Sequence, residues 1–440
     1  NQGDKAQINL IINKQIAIEK KFAVYRPHWR DQQVSNQFLK HILDTTYNEE
    51  ELAAAWRAGG QIGEVVGPDL LELVKLRNKM ARQQGYANYF QQQLYLNEQS
   101  EAQLNAIFKQ VDNLTRQPYQ AYKQEMDQVL AERYSIPIQQ LKPWHYQQIF
   151  LQQAPLTCEA KLDNYYEQTD VIKVVKRYFK DLGLSGDKII AASDLKPRRQ
   201  KYPYAYCIDI DRNKDIRILA NLQNDSDSAQ TLLHEMGHAV YDANIAPSLP
   251  WRLREPASIG LTEGVAMMFG DMYSDPDWLQ RNLGLTVSES QSMAAVCRHT
   301  AQLNELIFCR WALVMYEFEK ELYANPGSHL DRYWWQLVEH YQLITPPAET
   351  PPYIWAAKVH LATAPVYYYQ YVLGRIIASQ LGNGWHQELT APHPKNQHFG
   401  VYLKECVFAP GARYPWVQIL QGATGQKLEP RSLLKDWGNK

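Results

Sequence analysis

Cysteine is scarce in this chain, and neither a long apolar run nor an excess of charge of one sign is present. The five cysteines among 440 residues are scattered, and no pair has the Cys-x-x-Cys spacing of a metal or redox motif. They are too few for a disulfide framework, and their odd number leaves at least one either free or paired with another chain. No apolar run approaches the roughly 20 residues that a membrane helix needs, so the sequence predicts no membrane span.

The charge balance excludes two further classes of partner. Because the 46 basic and 47 acidic residues nearly cancel, we expect neither nucleic acid nor an anionic membrane surface to bind. An apolar fraction of 45% and a charged fraction of 21% are typical of a globular protein. The chain begins Asn-Gln-Gly-Asp, without Met or the basic and apolar segments of an export signal, so we expect a processed or trimmed chain.

Most of the sequence has the periodicity of helices. Apolar residues recur at helical spacing in each predicted helix, and Gly85 and Gly183 stand where a helix-terminating glycine belongs. The predicted helices cover residues 69–84, 101–133, 171–182, 291–340 and the segment after Pro365. The proline-rich residues 345–352 are predicted to form a loop.

One segment is patterned as a hairpin. Residues 202–210 and 216–220 are rich in aromatic and β-branched side chains, and the polar residues 211–215 separate them. Residues 224–228 are dense in helix-capping side chains, so a helix is expected to begin there. The sequence therefore predicts a mainly α protein with one small antiparallel sheet next to that helix.

The strongest functional signal is His234-Glu235-Met236-Gly237-His238. Two histidines four residues apart lie on one face of a helix and can hold the same ion, and zinc favours imidazole nitrogen. With 12 histidines and 47 acidic residues, this motif should arise by chance only about 0.03 times per chain. A purely structural role for the two histidines is the alternative, and the low chance frequency argues against it.

A catalytic zinc site needs a third protein ligand and a general base. Glu263 follows His238 by 25 residues, in a second predicted helix over residues 258–271 that can return past the first. We therefore expect one Zn²⁺ per chain, held by His234, His238 and Glu263, with Glu235 taking a proton from the attacking water. Downstream, hydrogen-bond donors cluster at Lys358, His360, Tyr367, Tyr368, Tyr369 and Tyr371; taken alone, this tyrosine run is more typical of aromatic packing.

These motifs together resemble the angiotensin-converting enzyme (peptidyl-dipeptidase A) family of zinc metallopeptidases. The resemblance rests on five segments: residues 234–241, Leu249-Pro-Trp-Arg-Leu-Arg-Glu255, Glu263, Tyr333-Trp-Trp-Gln-Leu-Val-Glu-His-Tyr341, and Lys358-Val-His360. It is strong from about residue 214 and diffuse from about residue 48. The sequence is more loosely similar to the thimet oligopeptidase and oligopeptidase F group, whose spacing before the glutamate ligand is the closer match.

The resemblance implies a helical, clam-like gluzincin fold with a deep substrate channel and zinc at its floor. It also implies roles for several residues. Ala205, within a strand at residues 204–206, contacts the substrate through its backbone; Lys358 binds the C-terminal carboxylate of the substrate; His360 donates toward the scissile carbonyl. Two tyrosines with i, i+3 spacing follow in the family, which assigns Tyr368 to substrate binding and Tyr371 to the oxyanion. A gapless alignment would select Tyr367 and place Gln370 at the oxyanion position.

Three departures from the family pattern carry expectations. Gln370 stands where the converting enzymes have a chloride-binding arginine, which argues against chloride activation. Met267 stands where they have an aspartate beyond the zinc ligands, so Asp242 or Asp271 is the candidate to orient a ligating histidine. The N-terminal helices that cover the channel in the family are expected to be short or missing.

The sequence thus predicts one catalytic domain over residues 1–440, with a helical lobe over about 1–200 and a zinc-site lobe over about 201–440. The expected substrates are short peptides, and Lys358 favours removal of C-terminal dipeptides by a peptidyl-dipeptidase. If Lys358 is only a solvated lysine, an oligopeptide endopeptidase of the thimet or oligopeptidase F type is expected instead. A non-catalytic peptide-binding or receptor-like protein is the alternative from another class. The resemblance also implies an exported protein, since many relatives are exported.

Overall fold

The computed structural model describes residues 4–155, 159–198, 201–202, 204–388 and 395–436. The protein is mainly α-helical, as the sequence predicts, and its chain forms two compact units. The first unit contains residues 1–156 and 303–369, and the second contains residues 157–302 and 370–440. The unit boundaries at 302/303 and 369/370 fall inside two helices.

The helices of the first unit lie in both of its chain segments. They are α1 (Lys5–Val24), α2 (Asn36–Thr45), α3 (Glu49–Gly60), α4 (Ile62–Gln83), α5 (Tyr89–Leu96), α6 (Glu101–Tyr134), the greater part of α13 (Val287–Ala324), α14 (Leu330–Gln342) and α15 (His360–Thr363). A short hairpin, β1 (His28–Trp29) with β2 (Gln32–Gln33), also belongs to this unit. Its core contains the fully buried Trp56, Trp311, Trp334 and Trp355.

The second unit carries the predicted metal-binding motif. Its helices are α7 (Glu159–Tyr166), α8 (Val171–Asp181), α9 (Asp187–Ala192), α10 (Ser226–Asn244), α11 (Ile259–Gly270), α12 (Pro276–Leu283), most of α16 (Tyr368–Glu388), α17 (Lys395–Tyr402), α18 (Trp416–Thr424) and α19 (Leu433–Asp436). Its core includes an aromatic cluster in which Phe179 and Tyr178 pack against Phe269 and Trp278.

The division into units differs from the single boundary expected near residue 200. Long-range hydrogen bonds explain the difference, because they join the N-terminal segment to residues after 302. The Gln342 side-chain amide donates to the Leu151 carbonyl at 2.5 Å, and the Ala154 backbone N–H donates to the Asn304 side chain at 2.6 Å. Such pairings between distant segments leave no periodic signal in the sequence.

The helix predictions are confirmed, but several boundaries change. The segment predicted as helical over residues 291–340 is divided between α13, which begins at Val287, and α14, with a break at residues 325–329. The helix predicted over residues 69–84 is present, but α4 begins earlier, at Ile62, and continues through Pro68 to Gln83. Tertiary packing explains the extension. A Cβ at Gly63 would lie 2.2 Å from the Tyr353 carbonyl oxygen, so this part of α4 is held close to the backbone near Tyr353. Gly85 terminates the helix with φ +87°, as expected for a helix-terminating glycine.

The predicted hairpin is present but shorter than its apolar pattern. β3 (Tyr206–Asp209) pairs antiparallel with β4 (Ile216–Leu219), with Tyr206 opposite Leu219. Beyond that pair the β4 chain turns away, because the Ala220 N–H donates to the Asp194 carbonyl. Ala205 therefore directly precedes the strand, a correction to the strand expected at residues 204–206.

Two further features of the described part of the chain bear on the predictions. In the small sheet that pairs β3 with β4, β3 lies at an edge. No described helix is both long and apolar enough to cross a lipid bilayer.

Candidate metal centre and active site

The N-terminal end of helix α10 is held by capping hydrogen bonds and by contacts with α7. Asp225 caps the helix, since its carboxylate accepts the Ser228 N–H at 2.8 Å. Asp163 accepts both the N–H and the hydroxyl of Ser226, at 2.8 and 2.6 Å. These hydrogen bonds tie the first turn of α10 to α7. Because the helix is rigid, they also fix the orientation of the histidines further along it.

Helices α10 and α11 approach each other closely because Gly237 has no side chain. A Cβ at Gly237 would lie 2.7 Å from the Ala266 Cα of α11, closer than side-chain carbons approach backbone. The glycine inside the motif therefore serves helix packing rather than metal binding. This close contact brings Glu263, on α11, beside the two histidines of α10.

The three predicted ligands converge in the second unit. Their donor atoms all lie within 4.8 Å of one another. The Glu263 Oε2 atom lies 3.6 Å from His234 Nε2 and 3.9 Å from His238 Nε2. Ligands about 2.0–2.1 Å from a tetrahedral zinc ion stand about 3.3 Å apart, so a small inward movement suffices. Two imidazoles and one carboxylate are also a known catalytic zinc set, and the residues present fit the ion.

The electrostatic surroundings keep both histidines neutral, which is the form that binds a metal. Burial, and then the charge of Arg375, lowers the pKa of His234 to about 4. Burial, and then the neighbouring His234, lowers the pKa of His238 well below its usual value. Both rings therefore offer a nitrogen lone pair at neutral pH.

The partner of His238 is a threonine and not one of the two expected aspartates. His238 Nδ1 lies 2.8 Å from the Thr262 hydroxyl, so a ring that ligates through Nε2 donates its Nδ1–H to that oxygen. Asp271 instead forms an ion pair with Arg375. Burial, and then the charge of Asp209, raises the pKa of Asp242 to about 7.

Glu235 lies between the motif helix and the edge strand. Its side chain is buried, and the Cys207 N–H of β3 donates to its carboxylate. Burial, and then the nearby Glu263, raises the pKa of Glu235 to about 8, whereas the Cys207 hydrogen bond lowers it. A carboxylate that is fixed by a hydrogen bond and has a pKa near neutral pH is suited to general-base chemistry.

A second group of predicted residues lies in the first unit, around Lys358. The Lys358 ammonium donates to the Gln152 side-chain oxygen at 2.6 Å, and the Tyr368 hydroxyl lies 3.2 Å from the same oxygen. The ammonium is also 5.6 Å from the Trp311 ring centre and 5.2 Å from that of Tyr368. Burial alone lowers the pKa of Lys358 to about 8, and no described acidic group opposes that shift.

His360 lies next to this group. Its ring centre is 5.3 Å from that of Tyr368, in an edge-on arrangement. Burial, and then the charge of Lys358, lowers the pKa of His360 to about 4. Its Nδ1 atom is buried and has no hydrogen-bond partner among the described residues. His360 is thus neutral and has an unused ring nitrogen.

The four tyrosines of the run have different environments. Tyr369 is buried in the core, and Tyr367 is half-buried in the turn before α16. Tyr368 begins α16 beside Lys358, and Tyr371 follows one helical turn later, half-buried. Gln370 is buried against α11, where a Cβ at Gly260 would lie 2.9 Å from its side-chain oxygen.

Three residues of these sites escaped the sequence predictions. Gln152 contacts Lys358 but lies 206 positions earlier in an irregular segment, so no local pattern marks it. Thr262 directly precedes the ligand Glu263 and could have been noticed as a hydroxyl neighbour of the ligand. Cys207 acts through its backbone N–H, which its residue type does not reveal.

A mainly helical fold with His-Glu-x-x-His on one helix and a glutamate from the next defines a gluzincin-type metal site. A sequence profile described as angiotensin-converting enzyme matches residues 2–437, and the chain belongs to the angiotensin-converting enzyme family of peptidases. The expected family membership is confirmed. Members of this family are zinc metallopeptidases, which agrees with the donor set.

The chain is also similar to Carboxypeptidase 1 of Bacillus subtilis (strain 168). The two sequences are 25% identical over an alignment of 239 positions, and the match covers 47% of this chain and 46% of that protein. The match therefore spans less than half of the relative's length.

Proposed function

We propose that the protein is a zinc-dependent peptidyl-dipeptidase that removes C-terminal dipeptides from short peptides. His234, His238 and Glu263 hold the ion in this proposal. When bound, zinc supplies a Lewis acid for a carbonyl group and favours the ionisation of water. Family membership and the convergence of the three donors support this assignment.

Glu235 is proposed as the general base. Its buried carboxylate takes the proton from the attacking water and then delivers it to the leaving amine. The Cys207 N–H fixes the carboxylate while it does so. His360 and Tyr371 are proposed to donate hydrogen bonds to the reacting carbonyl oxygen.

Lys358 is the main reason to propose an exopeptidase rather than an endopeptidase. A buried ammonium without a described acidic partner is poorly compensated, and a carboxylate is the ligand that best compensates it. The Tyr368 hydroxyl next to it, which donates to the Gln152 side-chain oxygen, can turn to donate to that carboxylate instead. Recognition of a terminal carboxylate at one fixed place gives a product of fixed length.

The edge strand β3 is proposed to bind the substrate backbone. Strand β4 covers one side of β3, and an extended peptide can add to the other side through main-chain hydrogen bonds. Ala205, directly before the strand, keeps its proposed backbone contact. Chloride activation is not expected, because Gln370 stands where the converting enzymes have a chloride-binding arginine and offers no positive charge.

Product analysis by mass spectrometry tests the function. Peptides of about five to twelve residues, each with a free and an amidated C-terminus, are incubated with the zinc-loaded protein. Glu235→Gln and Lys358→Ala are run beside it, and the zinc content of each variant is measured. We expect stepwise dipeptide loss from free C-termini only, abolished in Glu235→Gln and weakened in Lys358→Ala, with zinc retained in both.

Other outcomes would replace the proposal. Release of single C-terminal residues would instead match a carboxypeptidase, the activity after which the Bacillus relative is named. Internal cleavage that is indifferent to amidation would indicate an endo-oligopeptidase. Failure to cleave any peptide while zinc is bound would favour a peptide-binding protein.

A further inference from the structure

The turn between α15 and α16 has an unfavourable backbone conformation. Val366 adopts φ +57°, a left-handed value that is exceptional for a β-branched residue. Pro365 precedes it, and positive φ at the second central residue of a turn normally requires glycine or asparagine. Such a conformation persists only where the surrounding structure enforces it.

A buried glutamate from α13 enforces the conformation. Glu319 is 3% exposed, and its Oε1 atom accepts the Val366 N–H at 2.8 Å. Burial raises the pKa of Glu319 to about 8, while the Val366 hydrogen bond and the charge of Arg77 lower it. Burying a carboxyl group costs free energy. A buried carboxyl group that accepts one backbone N–H of this turn therefore requires an explanation.

A buried arginine from α4 binds the other side of the same segment. Arg77, which is 1% exposed, donates to the carbonyls of Leu361 and Ala362 at 3.3 and 2.7 Å. These carbonyls belong to the short helix α15 and would otherwise be unsatisfied at its C-terminal end. The Tyr323 hydroxyl, 3.1 Å from the Arg77 guanidinium, helps to fix that side chain.

The segment held in this way separates two residues of the proposed substrate site. His360 begins α15 and Tyr368 begins α16, so residues 361–367 determine where Tyr368 stands relative to His360 and Lys358. All of these residues belong to the first unit. Burial, and to a smaller extent the charge of Glu319, raises the pKa of Tyr368. The hydrogen bonds that Glu319 and Arg77 make to this segment go to its backbone, at the Val366 N–H and at the Leu361 and Ala362 carbonyls.

We propose that Glu319 and Arg77 are positioning residues: together they hold the Val366 turn and thereby align His360 and Tyr368 with Lys358 for the peptide C-terminus. This inference rests on the proposed function, because it assigns the aligned group to carboxylate recognition. It adds residues from α4 and α13 that no motif marks.

The test measures KM and kcat for matched peptides with free and amidated C-termini. The variants are Glu319→Ala, Glu319→Gln, Val366→Gly and the double variant Glu319→Ala/Val366→Gly. Glu321→Ala is the control, since Glu321 lies on the same helix and, among the described residues, its carboxylate accepts hydrogen bonds only from the Asn325 side chain. Thermal unfolding establishes that each variant is folded at the assay temperature.

Glu319→Ala should raise KM for free C-termini by about tenfold or more, and change KM for amidated peptides much less, because small displacements of binding groups are costly. Glu319→Gln keeps an acceptor oxygen and should stay within about threefold of the parent protein. Val366→Gly adopts positive φ without strain, so the double variant should recover most of the lost KM. A role in stability alone would change the unfolding temperature without separating free from amidated peptides.

Two results would overturn the inference. Unchanged KM for free C-termini in folded Glu319→Ala would refute it, as would equal losses on free and amidated peptides. If Glu319→Ala does not fold, Glu319→Asp, which retracts the carboxylate by one methylene, is tested alone and with Val366→Gly. A parent protein that does not discriminate free from amidated peptides would refute the proposed function first, and this inference with it.

Discussion

At the scale of single residues, the chemistry depends on buried charges whose environments are specified by a few contacts. Lys358 and Glu235 illustrate two opposite cases. Burial favours the neutral form of both, which lowers the pKa of the lysine and raises that of the glutamate, each to about 8. The pKa of each group thereby lies close to neutral pH, so a small change in its surroundings alters its charge.

Lys358 gives a pH dependence of defined sign. The ammonium is charged below its pKa of about 8 and becomes neutral above it, whereas a peptide C-terminus stays ionised over the whole range. We expect kcat/KM for peptides with free C-termini to fall about tenfold per pH unit above that value. Lys358→Arg, which remains charged, should remove this alkaline decline. A profile between pH 6 and 10 with the same decline in both proteins would contradict the assignment.

Thr262 is predicted to tune the metal site through His238. Thr262→Val keeps the shape of the side chain but removes the hydroxyl that lies 2.8 Å from His238 Nδ1. Zinc affinity should fall by about 10- to 100-fold, because loss of such a partner leaves the ligating ring less well oriented. Competition with a chromogenic chelator measures the affinity. Thr262→Ser retains the hydroxyl and should stay near the parent value; equal affinity in all three proteins would refute the role.

At the scale of secondary-structure elements, the packing of α10 on α11 brings the three proposed metal ligands together. Helix caps fix the start of each helix: Asp225 caps α10, and Ser258 caps α11 by accepting the Leu261 N–H at 3.0 Å. The glycine contact between the helices then sets how deeply Glu263 reaches toward the histidines. Sequence spacing places the ligands on the correct helix faces, while packing determines their separation.

Gly237→Ala tests this contact between helices. Because the added Cβ would lie 2.7 Å from the Ala266 Cα, the helices must separate. We expect a loss of about 1–3 kcal/mol in the free energy of unfolding, with weaker zinc binding as Glu263 moves away. Gly422→Ala is the matched control, since a Cβ there meets nothing within 4 Å. It should raise stability by up to about 1 kcal/mol through helix propensity. Denaturant unfolding measures the stability of both variants, and zinc titration measures their affinity for the ion. A Gly237→Ala variant more stable than the parent protein would contradict a close helix contact at this glycine.

At the scale of the whole molecule, the chain builds each compact unit from two separated segments. Residues 303–369 complete the core of the first unit, and residues 370–440 complete that of the second. Residues that act together are consequently far apart in sequence, as the 206 positions between Gln152 and Lys358 show. The stability of each unit depends on pairing these segments.

Metal binding should stabilise the folded protein measurably. The three ligands come from two helices that unfolding separates, so zinc favours the folded chain. At a free zinc concentration about 100 times the dissociation constant, the gain is about 2.7 kcal/mol. Chelator-treated protein should therefore unfold at lower denaturant concentration than zinc-loaded protein. His234→Ala should show no such difference, and a zinc effect that survives this substitution would place the ion elsewhere.

The amino-acid sequence by itself determined the helical character and the small hairpin, and it marked the residues that we propose as metal ligands and general base. These features are local: helical periodicity, turn residues and a five-residue motif all act over a few neighbours along the chain. Glu263 also followed from the sequence, because one helix returning past another is a short-range arrangement. Only the tertiary structure decided the unit boundaries, the true start of β3, the threonine behind His238, and the contacts of Gln152 and Glu319. Gln152 and Glu319 meet their partners 206 and 47 positions away along the chain. The other features involve nearer segments, but they too are set by packing rather than by local sequence pattern.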